Sequence, residues 1–137
     1  MDKIQSLKGM IDLIANRNDP KDFAESIFRT EDVLKSIFVN FGYSEIRTPA
    51  LEDDDLFKRS VGDSSDILNK ELYSFLDKNE KNITLRPENT AGVIRSVIEK
   101  KIDVNTHKFW YLGPMWRYER PQKGRYRQFN QAGIEII

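Results

Sequence analysis

The stretch from Phe109 to Ile137, FWYLGPMWRYERPQKGRYRQFNQAGIEII, limits the fold more than any other part of the chain. Two apolar, aromatic runs flank an eleven-residue polar segment, Arg117 to Arg127. Runs of this length around a polar turn read as strand, loop and returning strand. Side chains alternate along a strand, so Phe109, Tyr111, Gly113, Met115 and Arg117 share one face, and Phe129, Gln131, Gly133 and Glu135 share one face. If the two faces coincide, they form a floor carrying one Arg, one Gln and one Glu beside two glycines. Glycine in a strand lets another group approach the backbone, and a ligand lying flat on the sheet would use that. Asn130, Ala132, Ile134 and Ile136 take the opposite face, which is mostly apolar and expected to be packed.

The polar segment holds Arg117, Arg120, Lys123, Arg125 and Arg127 against one acid, Glu119. Guanidinium forks match phosphate oxygens, so five cations between two strands form a candidate site for polyphosphate or nucleic acid. Lys plus Arg and Asp plus Glu both number 22 in the whole chain, so the charge is local. The same pattern also fits a surface hairpin with a solvated basic loop.

The remaining elements point to an α+β fold, with a mostly antiparallel sheet flanked by helices in two layers. Asp19-Pro20 reads as N-cap and first turn of a helix. Phe23, Ile27, Leu34, Ile37, Phe38 and Phe41 follow on one face, and Gly42 is the stop. Ser44 to Thr48 reads as a short strand ending at Pro49, with direct chemistry there a minor possibility. Leu51 to Ser60 reads as a short helix, and Val61 to Asn69 as a loop. Glu71 to Leu76 and Asn82 to Arg86 read as a hairpin. Pro87 to Lys101 reads as a helix burying Val93, Ile94, Val97 and Ile98.

Thr84-Leu85-Arg86-Pro87-Glu88-Asn89-Thr90 runs from a strand end into a helix start, where free N–H groups point outward. Glu88 there can bind an ammonium group and Thr90 a polar substrate. The structural alternative is a Pro-initiated helix with Glu88 complementing the dipole and Asn89 or Thr90 capping. His107 is either a general base or an inert loop residue. The acids Glu52 to Asp55 suit a helix start, or less simply Mg²⁺. Trp110 and Trp116 are expected in the core. The 137 residues contain no cysteine, which excludes disulfides and Cys-ligated metal, and one histidine makes a His-based metal site unfavourable. No secretory or membrane-spanning run is visible, so the cytoplasm is the default compartment. The last residues, Ile134 to Ile137, lie inside a strand pattern, and on that ground the chain is expected to be a piece of a longer protein.

Gly113 to Phe129, GPMWRYERPQKGRYRQF, resembles motif 2 of the class II aminoacyl-tRNA synthetases, and in particular the histidyl-tRNA synthetase family. Thr84-Leu85-Arg86-Pro87-Glu88 through Thr90-Ala91-Gly92 resembles the same family. So do Phe41 to Glu52, within a motif 1 of about 38–52, and Lys8-Gly9-Met10 with Asp12 at the N-terminus. Motif 2 covers about 109–137. The resemblance implies that histidine and ATP are joined to give histidyl-adenylate and pyrophosphate, followed by transfer to tRNA(His). It implies a homodimer through motif 1, Mg²⁺ accompanying ATP, and no Cys/His metal site.

By the same resemblance, Arg117 is the catalytic residue, holding the α-phosphate and the substrate carboxylate. Glu119 and Phe129 would hold adenine, and Arg125 the triphosphate. Glu88, Asn89, Thr90, Gln131 and Glu135 would surround histidine with Arg117. Gln122 and Lys123 would face the tRNA acceptor end. Adenylation needs positioned charges and no protein nucleophile, so the lack of Cys is in keeping with it. Asn89 stands where the family commonly has Gly, Asn130 where it has His, and the family's Pro after the N-terminal signature is missing from Ile14 to Asn18. Motif 3, a second histidine-recognising segment and the anticodon-binding domain are absent, so this chain alone is expected to be inactive. The competing expectation is a non-catalytic, histidine-binding regulatory relative of the type that serves ATP phosphoribosyltransferase. Its loop would have no adenine or tRNA to face, whereas the loop here is intact. A stand-alone basic RNA-binding module is disfavoured by the neutral net charge.

Overall fold

The computed structural model describes residues 3–16, 18–19, 21–60, 71–103 and 106–137. Helix α1 spans Phe23–Asn40, followed by strands β1 (Ser44–Glu45) and β2 (Leu51–Asp53). Helix α2 (Asp54–Ser60), the hairpin β3 (Tyr73–Leu76) and β4 (Asn82–Leu85), and helix α3 (Thr90–Glu99) come next. Strands β5 (Lys108–Trp116) and β6 (Gln128–Ile136) complete the order. The α+β class and the mainly antiparallel pairing are as expected. The described strands form two three-stranded sheets, β1-β5-β6 and β2-β4-β3, rather than the one sheet expected, with β1 parallel to β5.

Helix α1 starts later than Asp19 would place it. Asp22 is the N-cap, its carboxylate accepting from the Glu25 N–H at 2.8 Å, while Asp19 closes a turn by accepting from Lys21 N–H. Pro20 lies outside the described residues, as does the loop expected over 61–69. Gly42 does end the helix. It takes φ +77°, donates to the Val39 carbonyl, and lets the Tyr43 N–H reach back to Phe38, which satisfies two otherwise orphaned carbonyls. The expected strand at Ser44 to Thr48 is only two residues long, because the chain turns away to Pro49. Leu51 to Asp53, expected as helix, pairs with β4 as a strand. Its edge-on ladder to Leu85, Thr84 and Ile83 outweighs the helix preference of the acids, which begins at Asp54.

Sheet β1-β5-β6 is covered on both faces. On one, Val93 of α3 packs against Tyr111 and Met115, with Ile46, Val97, Phe109, Phe129 and Ile137 around them. On the other, Phe38 of α1 lies against Trp110, ring centroids 5.6 Å apart. Trp110 is buried as expected, whereas Trp116 is half-buried and donates to Gln128 Oε1. Two expectations fail here. Ile94 and Ile98 are exposed, because α3 turns Gly92, Val93 and Ser96 inward instead. The β6 face of Asn130, Ala132, Ile134 and Ile136 is not closely packed: Ile134 is 47% and Ile136 61% exposed, and a cavity separates α1 from Asn130 and Ala132. Asn130 reaches α1, donating to Glu31.

Candidate functional site

The β5–β6 register decides whether the two polar faces coincide. Phe109 pairs with Glu135, Tyr111 with Gly133, Gly113 with Gln131 and Met115 with Phe129, and Arg117 N–H donates to the Arg127 carbonyl at 2.9 Å. Directly opposed residues point to the same face. Arg117, Gln131 and Glu135 therefore share one side of one hairpin, and Asn130 lies on the other.

That side is not an open floor. The glycines admit protein side chains rather than bare space. A Cβ on Gly133 would lie 2.4 Å from the Tyr111 ring, and one on Gly113 would meet the Arg86 guanidinium at 3.2 Å. Tyr111, which the sequence pattern placed on this face without a role, proves central. It is buried, and its hydroxyl meets Thr90 and Glu135. Its pKa is raised chiefly by burial, and further by the Glu135 and Glu88 charges, against the hydrogen bond with Thr90, so the phenol stays protonated. Aromatic alternation is common in cores, so only the register exposes this role.

The segment Pro87 to Thr90 links the two ends of the face. Arg117 Nε donates to the Pro87 carbonyl at 2.9 Å, and Thr90 Oγ1 donates to Glu135 Oε1 at 2.6 Å. Pro87 and Thr90 are three residues apart, so one short segment touches both side chains although their strand positions are far apart. Glu88 caps α3: its carboxylate accepts from the Thr90 N–H at 2.6 Å and the Ala91 N–H at 3.1 Å. Asn89 makes no side-chain cap. Its buried amide oxygen accepts from Thr48 Oγ1 instead, and its φ of −118° asks nothing unusual of the backbone. Helix α3 begins at Thr90 and not at Pro87, because Glu88 holds the first free N–H groups from outside it. The Oε1 atom of Gln131, whose side chain shares this face, is buried and has no hydrogen-bond partner.

The basic loop is more ordered than a run of solvated charges. Gln122 and Arg125 bridge across its tip, with Gly124 at φ +77° making the turn. Glu119 sits between two arginines, accepting from Arg125 Nε at 2.8 Å and lying 3.8 Å from Arg117. Arg117 also lies over the Phe129 ring, 5.0 Å from its centroid. Arg127 is committed elsewhere: it stacks 3.9 Å over Tyr118 and donates to the Glu119 carbonyl. Arg120, Gln122 and Lys123 are exposed. Of the five cations, Arg127 is thus structural, which charge counting alone does not reveal.

Arg86 was missed by the sequence reading. Its half-buried guanidinium donates to the carbonyls of Thr48 at 2.7 Å and Pro114 at 3.2 Å, and burial lowers its pKa. The acids Glu52 to Asp54 disperse into separate pairs, with Arg95, Lys81 and Lys58, which is a structural role. His107 extends the β5–β6 ladder through Ile137 and stacks on Phe109, so it is placed as a strand-end residue.

Residues 18–137 match the histidyl-tRNA synthetase family. Over its whole length the chain is 49% identical to histidine–tRNA ligases of Legionella pneumophila strains Lens and Philadelphia 1, in each case to 31% of that protein. The chain therefore spans about a third of the length of the curated relatives it matches. Among solved structures, apo histidyl-tRNA synthetase of S. aureus superposes with a TM-score of 0.71 at 36% identity, over 96% of this chain and 28% of that one. A Bacillus halodurans protein described as an ATP phosphoribosyltransferase regulatory subunit/histidyl-tRNA synthetase gives 0.79 at 23% identity, over 99% and 33%, and shares the fold.

Proposed function

This chain belongs to the histidyl-tRNA synthetase family, and from that premise we propose that its protein is a histidine–tRNA ligase. It would activate histidine with ATP and pass it to tRNA(His) in the cytoplasm, as a homodimer joined through motif 1. ATP enters as a substrate with its Mg²⁺.

The observation that carries this reading is the convergence of Arg117 and Glu135 on the segment Pro87 to Thr90. It sets a phosphate-binding cation beside a pocket of the right polarity for an amino acid with a basic ring. Histidine offers an ammonium, a carboxylate and an imidazole. Glu88, Thr90, Gln131 and Glu135 supply acceptors for the first and last, Tyr111 walls the pocket, and Arg117 takes the carboxylate. A carboxylate carries about four lone-pair sites, so Glu88 can cap α3 and still face an ammonium. Asn89, placed beside histidine by resemblance, would act through Thr48 beneath the pocket. Phe129 and Glu119 would take the adenine ring, Arg125 the triphosphate, and Gln122 and Lys123 the acceptor end.

In this reading a histidine carboxylate oxygen attacks the α-phosphorus, the bond to the β-phosphate breaks, and pyrophosphate leaves. Arg117 neutralises the charge gathering on the α-phosphoryl oxygens. A hydroxyl at the tRNA 3′ end then attacks the activated carbonyl and AMP leaves. Histidine-dependent exchange of labelled pyrophosphate into ATP by the full-length protein tests the first step. No exchange above the histidine-free rate would sink the proposal and favour the regulatory, histidine-binding alternative.

A further inference from the structure

The N-terminal segment Lys8-Gly9-Met10 reaches the base of the basic loop. The Gly9 carbonyl accepts from two successive amides, Arg127 N–H at 2.7 Å and Gln128 N–H at 3.3 Å. Gly9 holds φ +82°, a conformation other residues rarely take, and a Cβ there would lie 2.9 Å from Arg127 Cγ. Arg127 in turn stacks on Tyr118, donates to the Glu119 carbonyl, and gives its own carbonyl to Arg117 N–H. Glu119 is the acid between Arg117 and Arg125.

We propose that Gly9 is a positioning residue for the nucleotide side of the site, acting through Arg127 on Glu119, Arg117 and Arg125. The inference rests on the adenylating reading above. Its contacts all fall at the loop end of the hairpin. The histidine-side group, Glu135 with Thr90 and Tyr111, sits near the opposite end, where Glu135 pairs with Phe109. A fault at Gly9 should therefore separate the two substrates, which a general loss of folding would not.

The test is Gly9→Ala in the full-length protein, read by pyrophosphate exchange and by amide hydrogen exchange. The KM for ATP should rise on the order of fivefold to tenfold while the KM for histidine stays within about twofold. The Arg127 amide should lose protection while amides around Glu135 keep theirs. Because Ala at φ +82° strains the arm itself, Arg127→Ala and the double variant accompany it. Removing Cγ and Cδ relieves the contacts at 2.9 and 3.2 Å and leaves Arg127 Cβ at 3.1 Å, so the two changes should be less than additive in the KM for ATP. Equal rises in both KM values, unchanged protection at Arg127, or strict additivity would each overturn the role of Gly9. A wild-type protein without histidine-dependent exchange would instead overturn the adenylating reading and, with it, the nucleotide role. The protection pattern would still show whether the brace itself exists.

Discussion

Thr90 and Glu135, forty-five residues apart in the chain, meet through a 2.6 Å hydrogen bond that joins the start of α3 to the C-terminal end of β6. The Thr90 hydroxyl is the donor and Glu135 Oε1 the acceptor, beside the Tyr111 phenol. The bond fixes the carboxylate that the proposed imidazole would meet. Thr90→Val keeps the shape and removes the donor. Because Thr90 is exposed, stability should change little. The KM for histidine in pyrophosphate exchange should rise by about tenfold, and the KM for ATP should not follow. Equal effects on the two substrates would place Thr90 outside histidine binding.

Arg117 is held from three sides: by the Pro87 carbonyl, by Glu119 and by the Phe129 ring. A side chain so constrained costs little ordering when a phosphate arrives. Arg117→Ala should lower the exchange rate by at least about a hundredfold to a thousandfold, the scale for removing one charge-stabilising donor. Circular dichroism and the unfolding midpoint should stay near wild type, because the lost bonds are at a half-exposed edge. Near-normal exchange in Arg117→Ala would remove it from the chemistry.

The alternation of FWYLGPMWR put Arg117 on one face of its strand and that of QFNQAGIE put Gln131 and Glu135 on one face of theirs, but only the register made the two faces one. The alternation was not enough to say what filled the space over Gly113 and Gly133, because a glycine only reports that something comes close. The occupants, Arg86 and Tyr111, lie 27 and 22 residues from the glycines they cover, beyond any local pattern. Glu88 as the cap was legible as an alternative, whereas Asn89 turning to Thr48 depended on the motif 1 segment arriving beneath it. Leu51 to Asp53 misled because three residues with two acids carry no strand signal. Only the partner β4 makes them one.

Arg86 bonds to the backbone of both sheets. Its side chain reaches Thr48 and Pro114 carbonyls, its N–H donates to the Ala50 carbonyl, and its own carbonyl accepts from Trp116 N–H. Arg86→Met keeps the length and abandons the carbonyls. Stability should fall by about 2–4 kcal/mol, as expected when a charged donor leaves buried acceptors unmet. Arg86→Lys should fall between the two, because an ammonium cannot span both carbonyls as a fork does. Chemical denaturation of the three proteins checks the order. A stable Arg86→Met would mean that the carbonyls find water at no cost.

Asp54, the first residue of α2, is a buried acid against the second sheet, accepting from Thr84 at 2.6 Å and Ser74 at 2.9 Å and paired with Lys58. Burial pushes its carboxyl pKa up, but the hydrogen bonds from Lys58, Thr84 and Ser74 and the Lys58 charge outweigh that and hold it below the ordinary Asp value of 3.8. The folded protein therefore releases this proton more readily than the unfolded chain. In the window between the two values the unfolded chain binds more protons, so stability rises with pH there. The contribution is complete well above 3.8 and is lost as pH falls through that value to the depressed one. Asp54→Asn should be less stable than wild type at neutral pH by about 1–3 kcal/mol, since it loses the charged acceptor but keeps the volume. The difference should shrink as the buffer is taken below 3.8, where the wild-type carboxyl is itself becoming neutral. Urea unfolding at a series of pH values measures it, and a gap that stays constant down to the acid limit would show that the Asp54 charge does not contribute.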